Sequence, residues 1–306
     1  ATFLFLFVFI GNIFSQERAA IKKLDSAFTE LYKSNRFNGT LLYAEKAKVL
    51  YKKAFGVTDY RTKQPLLTSS SFNLASVTKQ FICMAIMIMK ERGQLAYDDD
   101  CRKYIPELPY DSISIRNLMT HTSGIPEYFD VFQRFKTPLD TLTNEKMIRL
   151  FANHKPALDF ATGVKWNYCN TNYVLLVSII ERISKMPIDA YIKNNILNPL
   201  GLKDTYVYHL LMPSIPSNHV YGFEETGEIR RLNDLTPFDG VVGDGNIYSS
   251  VEDLYKWEQS LYTEKLVKKH TIDEAFRPVT LKDGSTYPYG FGWGIEKDKP
   301  GEFSHT

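Results

Sequence analysis

Ser76-Val77-Thr78-Lys79-Gln80-Phe81-Ile82-Cys83-Met84-Ala85-Ile86-Met87-Ile88-Met89 decides how the rest of the chain is read. Phe81 to Met89 are all apolar, and Lys90-Glu91-Arg92-Gly93 follows as a helix stop. Asn73 or Ser71 stands in position to cap the start. A helix apolar on every side has to be buried, and this run falls well short of the roughly 20 residues that span a bilayer. The stretch therefore predicts the central helix of a globular domain. Residues three apart share a helix face, so the Lys79 amine is expected beneath the Ser76 hydroxyl. A serine hydroxyl becomes a nucleophile when a neighbouring base takes its proton, and desolvation lowers a lysine pKa toward that task. The helix N-terminus also favours negative charge on the serine oxygen and offers the Ser76 N–H to an oxyanion. Ser-x-x-Lys alone is common enough to occur about once by chance in a chain of 306 residues, so its meaning depends on the company it keeps.

Length and composition bound the problem. A chain of 306 residues with 44% hydrophobic residues forms one large domain or two and buries a sizeable core. Lys and Arg number 37 against 35 Asp and Glu, for a net charge of +2, and neither sign forms a long block. A nucleic-acid footprint is not expected, and small molecules or peptides are the expected partners. Cys83, Cys101 and Cys169 are odd in number and irregularly spaced, which reads as packed thiols and no disulfide framework. The histidines show no metal-binding i, i+4 pair, so neither a metal nor a cofactor is expected.

Ala1 to Ile10 are apolar except for Thr2, and Gly11 to Gln16 then lead to Glu17-Arg18. The pattern is that of a signal-peptide h-region and cleavage zone over residues 1–16, with the true N-terminus expected upstream. It predicts export, to the periplasm or the extracellular space; any membrane association would run only through this segment, if uncleaved. Residues 17–36 carry Ala20, Ile21, Leu24, Phe28 and Leu31 at helical spacing, an amphipathic surface helix. Thr40 to Ala44 and Val49 to Phe55 read as a hairpin that needs partner strands. Ile115 to Pro126 reads as a short helix with a Gly stop, in which His121 and Ser123 serve chemistry or, the favoured reading, tie the loop.

Helices are predicted over Glu145–Asn153, Tyr173–Ser184 and Ile188–Leu197. Gly240 to Gly245 lacks the Lys-Ser/Thr of a phosphate loop, and close backbone packing accounts for its glycines. A helix over Val251–Leu261 is capped by Ser249 or Ser250, and β-prone residues follow from Tyr289 to Glu296 and from Phe303 to Thr306. Strands near both ends with helices between them predict one sheet built from 17–70 and 285–306, with a helical part over 71–284.

Ser76-x-x-Lys79, Tyr168-x-Asn170 and His305-Thr306, in that order, resemble the three motifs of the serine β-lactamase and penicillin-binding-protein superfamily, in its class C-like branch. Leu118 to Gly124, Asn198 to Leu202, Ser249 to Leu254 and Tyr289 to Trp293 match the family's habits as well, and the resemblance covers roughly residues 20 to 306. It implies a mixed α/β (α+β) fold of the β-lactamase/transpeptidase-like type: an antiparallel sheet flanked by helices plus a mostly helical subdomain. Carried over, Ser76 is the acylated nucleophile, Lys79 its proton acceptor and Tyr168 the second acid/base, which calls for a phenol of lowered pKa beside Lys79 and a protonated His305. Asn170 binds the substrate carbonyl and Lys79, and His305 and Thr306 bind substrate.

Thr162 stands where the family often has Pro, Cys169 where Ser is common, and His305 where class C β-lactamases carry Lys. A glutamate base of the class A kind has no evident counterpart. Because the chain stops inside the third motif, the later strands are expected to be missing and the sequence to be a fragment of a longer product. The resemblance implies an exported serine hydrolase that forms an acyl-enzyme on a D-Ala-D-Ala peptide, a β-lactam or a small ester. The alternative is a non-catalytic peptide- or peptidoglycan-binding or sensor module with the same fold.

Overall fold

The structure is a computed structural model and describes residues 2–135, 142–210, 212–226, 229–233, 237–299 and 302–305. From the N-terminus, α1 (Thr2–Lys33) leads into β1 (Gly39–Glu45) and β2 (Lys48–Phe55). A short strand β3 (Phe72–Asn73) and a 3-10 turn over Ala75–Val77 precede α2 (Thr78–Glu91). The middle holds α3 (Ile115–Met119), α4 (Tyr128–Arg134), α5 (Asn144–His154), α6 (Asn170–Ser184), α7 (Ile188–Ile192) and α8 (Asn198–Leu200). Strands β4 (Tyr206–Val207), β5 (Phe223–Thr226), β6 (Ile229–Leu232) and β7 (Ile247–Ser249) lead to α9 (Val251–Ser260) and α10 (Lys269–Ala275). The order closes with β8 (Val279–Thr280), β9 (Thr286–Tyr287), β10 (Ile295–Lys299) and β11 (Glu302–His305).

The apolar run does form the central helix. Every residue of α2 from Thr78 to Met89 is buried, and α6 beside it is buried from Thr171 to Ile180. Removing each large apolar side chain from water contributes about 1.5–3 kcal/mol, so this pair of helices anchors the domain. Phe81 stacks on Trp257 of α9 with ring centroids 4.0 Å apart, and the Trp257 indole N–H donates to Gln80 Oε1 at 3.2 Å. The helix starts differently from expectation. Asn73 Oδ1 accepts the Ala75 N–H at 2.7 Å, but the N-cap positions of the 3-10 turn and of α2, Leu74 and Val77, have no side-chain cap, and the Ser71 hydroxyl donates to the Asp204 carbonyl. At α9, Ser250 supplies the cap by accepting the Asp253 N–H.

The β1–β2 hairpin closes through Lys46 and Ala47, with φ of 51° and 59°, the left-handed pair whose twist suits a two-residue hairpin loop. It leans on α1, which runs as one helix through both the leader-like residues and the predicted amphipathic stretch. Phe28 of α1 packs edge-on against Phe37, while Asp25 accepts from Tyr51 at 2.7 Å and from Lys53 at 2.6 Å. Among the described residues no helix is long and apolar enough to cross a membrane.

The expected single sheet is replaced by small antiparallel ones. Among the described residues β1–β2 and β10–β11 pair only within themselves, and β3, β7 and β4 make a three-stranded sheet inside the part read as helical. That small sheet matters most for the site, because β7 begins three residues after Asp244 and the Ile247 N–H donates to Thr78 Oγ1 at 2.9 Å.

Candidate active site

Ser76 sits exposed on the 3-10 turn, one residue after Ala75, whose φ of 45° lies in the left-handed region that favours glycine. Backbone strain of this kind is held in place by its surroundings, here by the Ala75 N–H bond to Asn73 Oδ1. One turn on, the Lys79 side chain is only 1% exposed. Its Nζ donates to Ser76 Oγ at 3.2 Å, to Asn170 Oδ1 at 2.9 Å and to the Asp244 carbonyl at 2.8 Å. Burial drives the Lys79 pKa down to about 8, against the opposing pull of the Asp244 and Glu127 carboxyls. The i, i+3 spacing thus delivers the contact it promised, between a lysine far more easily deprotonated than one in water and the serine above it.

Two glycines make the lysine's cradle possible. Gly243 has φ of 129°, and a Cβ there would stand 2.5 Å from the Tyr173 carbonyl of α6, so only glycine lets the loop press close enough for Asp244 to reach Lys79. Gly292, with φ of 87°, brings its segment against the Lys79 carbonyl itself.

Tyr168 and Asn170 arrive on the irregular segment that enters α6. The Tyr168 hydroxyl donates to Ser76 Oγ at 2.6 Å, and the Lys79 Nζ stands 4.8 Å from the centre of the same ring. The phenol is not lowered as the family mechanism would have it. Although Tyr168 is 38% exposed, desolvation by the surrounding protein raises its pKa above 10, the Asp244 and Glu127 carboxyls add to that, and the Ser76 hydrogen bond only partly offsets them. Burial and the two carboxyls together outweigh the hydrogen bond to Ser76.

His121 and Ser123 tie the loop, as the favoured reading held. The His121 Nδ1 accepts the Cys169 N–H at 3.1 Å, and its ring packs 4.4 Å from that of Tyr168. Burial lowers its pKa well below 6.5, so the imidazole is neutral. The Ser123 hydroxyl donates to Asn172 Oδ1 at 2.6 Å and accepts the Ile125 N–H. Of the remaining sequence-predicted residues, His305 lies on β11 opposite Ile295, and Thr306 falls outside the described residues.

Two groups escaped the sequence reading. One is the Asp244 carbonyl, a backbone acceptor without a side-chain signature. The other is Glu127, whose Oε2 accepts the Asn170 N–H at 2.7 Å and whose Oε1 accepts the Tyr128 N–H at 3.0 Å. Burial raises the Glu127 pKa to about 7, and the neighbouring Asp244, itself raised by burial, adds to the shift. The only hint in the sequence was an acidic residue just after Gly124-Ile125-Pro126, at the start of a helix.

Known proteins resemble this chain in sequence and in fold. Penicillin-binding protein 4* of Bacillus subtilis (strain 168) is 35% identical over 285 residues, an overlap that takes in 90% of this chain and 63% of that protein. A solved octameric penicillin-binding protein homologue from Pyrococcus abyssi superposes with a TM-score of 0.75 at 28% identity, covering 90% of this chain and 65% of that one. A penicillin binding protein from Bacillus halodurans shares the fold, with a TM-score of 0.77 at 24% identity, covering 91% of this chain and 84% of that one. The chain spans less than two thirds of the curated relative's length. The beta-lactamase family profile matches residues 24–306, a span that holds Ser76, Lys79, Tyr168 and Asn170 in their mutual contacts, and the chain belongs to that family.

Proposed function

We propose that the protein is a serine hydrolase that acylates Ser76 with an amide or ester substrate and then hydrolyses the acyl-enzyme. The observation that carries this reading is the convergence of Lys79 Nζ and Tyr168 OH on one serine oxygen, at 3.2 and 2.6 Å. Ser76 Oγ attacks the carbonyl carbon and its proton passes to neutral Lys79. The developing oxyanion takes a hydrogen bond from the Ser76 N–H. Tyr168, with its raised pKa, stays a neutral phenol that gives its proton to the leaving nitrogen or oxygen and recovers one from Lys79. Water then adds to the acyl carbon, giving a proton to neutral Lys79, which returns it to Ser76 Oγ as the acyl–oxygen bond breaks. Asn170, anchored to Lys79 through its Oδ1, turns its amide to the substrate carbonyl.

Because the base must be neutral and its pKa is about 8, acylation gains rate as pH rises through that value. The candidate substrates are a D-Ala-D-Ala peptide, a β-lactam or a small ester, of which the resemblance to a penicillin-binding relative supports the β-lactam. The apolar leader-like start supports an exported protein, periplasmic or extracellular. The test is covalent labelling with a fluorescent penicillin and a fluorophosphonate, mapped by peptide mass spectrometry. An adduct on Ser76 that disappears in Ser76→Ala is expected. No adduct with either probe, or an unchanged one in the variant, overturns the reading, and muropeptide binding without acylation would favour a non-catalytic binding module.

A further inference from the structure

We propose that Glu127 is a positioning residue for this site: as a carboxylate it fixes Asn170, and through Asn170 the Lys79 amine, and taking up a proton loosens both. The proposal rests on the acyl-enzyme reading for its effect on rate, but its geometry stands by itself. Three contacts run in series. The Asn170 N–H donates to Glu127 Oε2 at 2.7 Å, Lys79 Nζ donates to Asn170 Oδ1 at 2.9 Å, and the same Nζ donates to Ser76 Oγ at 3.2 Å. Asn170 is thereby gripped at both ends, its backbone by an acid and its side chain by a base.

The grip is needed because α6 lacks a cap of its own. Cys169 holds the N-cap position without a side-chain cap bond, and its thiol donates instead to the Ile125 carbonyl. Glu127 supplies the missing acceptor from another segment, while its second oxygen takes the Tyr128 N–H at the start of α4. One carboxylate therefore serves two N–H donors. A protonated carboxyl does so less well, because its hydroxyl oxygen is a weaker acceptor and carries an O–H that needs a partner of its own, so one of the two N–H bonds weakens.

The surroundings put the group within reach of ordinary pH. Facing Glu127 are Lys79 on α2, Asp244 on the loop before β7, Tyr128 on its own helix, and Tyr168 and Cys169 on the segment entering α6. Burial and Asp244 raise it; Lys79 and the two N–H groups lower it. The balance leaves its pKa at about 7, one unit under that of Lys79 at about 8. As pH falls Lys79 loses its reactive form and, through about 7, Glu127 takes up a proton as well, so the logarithm of the acylation rate should steepen from a slope of one toward two.

Two measurements decide it. The first is the pH dependence of fluorophosphonate labelling at Ser76 in the wild type, Glu127→Gln and Glu127→Asp. The wild type is expected to lose rate toward about 100-fold per pH unit below 7, and Glu127→Gln only about 10-fold, with its single limb moved to lower pH because a charge that holds Lys79 protonated is gone. Glu127→Asp should restore the steepening. The second is the Asn170 backbone amide followed by NMR, expected to titrate near pH 7 in the wild type and not in Glu127→Gln. A wild-type slope of one throughout, or steepening that survives in Glu127→Gln, overturns the proposal. So does an Asn170 amide that fails to titrate near 7, whether or not any variant folds. If Ser76 never labels at any pH, the acyl-enzyme reading fails by itself, and the amide still decides whether Glu127 positions Asn170.

Discussion

The helix α2 and the hairpin β1–β2 are held by different forces, and the contrast shows which part of the molecule tolerates change. In α2 everything from Thr78 to Met89 is out of water, so its hold is apolar area and close packing, which salt does not screen. The hairpin buries Phe55 beside Phe28 and Phe37 but otherwise relies on half-exposed charges, Lys53 with Asp25 at 2.6 Å and Lys52 with Glu252 at 2.8 Å. Pairs in that setting are screened and contribute little. The candidate site is mounted on the first region.

The sharpest way to break this contrast is Ile86→Ala. Ile86 is fully buried, and the truncation is expected to cost about 2–5 kcal/mol in denaturant unfolding. A cost below 1 kcal/mol would mean that α2 is not the anchor. Gly243→Ala tests the join between core and site. Its Cβ would meet the Tyr173 carbonyl at 2.5 Å, and a loss of about 1–3 kcal/mol is expected together with slower Ser76 labelling, because the Asp244 carbonyl must back away from Lys79. Stability lost without any change in labelling would separate the loop from the lysine. Least should come from Asp25→Asn on the hairpin side, with no measurable change in melting at physiological salt. A melting change as large as that of Ile86→Ala would erase the distinction.

The same contrast explains what could be read without a structure. Local rules sufficed where local spacing decides the outcome: the buried helix, the Ser76–Lys79 contact and the hairpin turn at Lys46-Ala47 all follow from residues within a few positions of one another. Tyr168 and Asn170 were found through order and resemblance, and both reach Ser76 or Lys79 directly. The sheet was misread because β-prone runs say which residues can be extended and nothing about their partners. The Tyr168 phenol was misjudged because burial and two carboxyls raise its pKa and outweigh the hydrogen bond to Ser76. Glu127 escaped because an acid at a helix start is common, and only tertiary contact shows that it also caps α6.

The origin of the Lys79 contacts has a consequence for biosynthesis. Ser76 lies a turn away, but Asn170, the Asp244 carbonyl and the Gly292 backbone all come from segments translated much later. A nascent chain that has made only α2 carries an ordinary, fully charged lysine beside an inert serine. On the acyl-enzyme reading proposed above, Ser76 would gain its reactivity only after the ribosome has passed residue 244, once these long-range contacts to Lys79 can form.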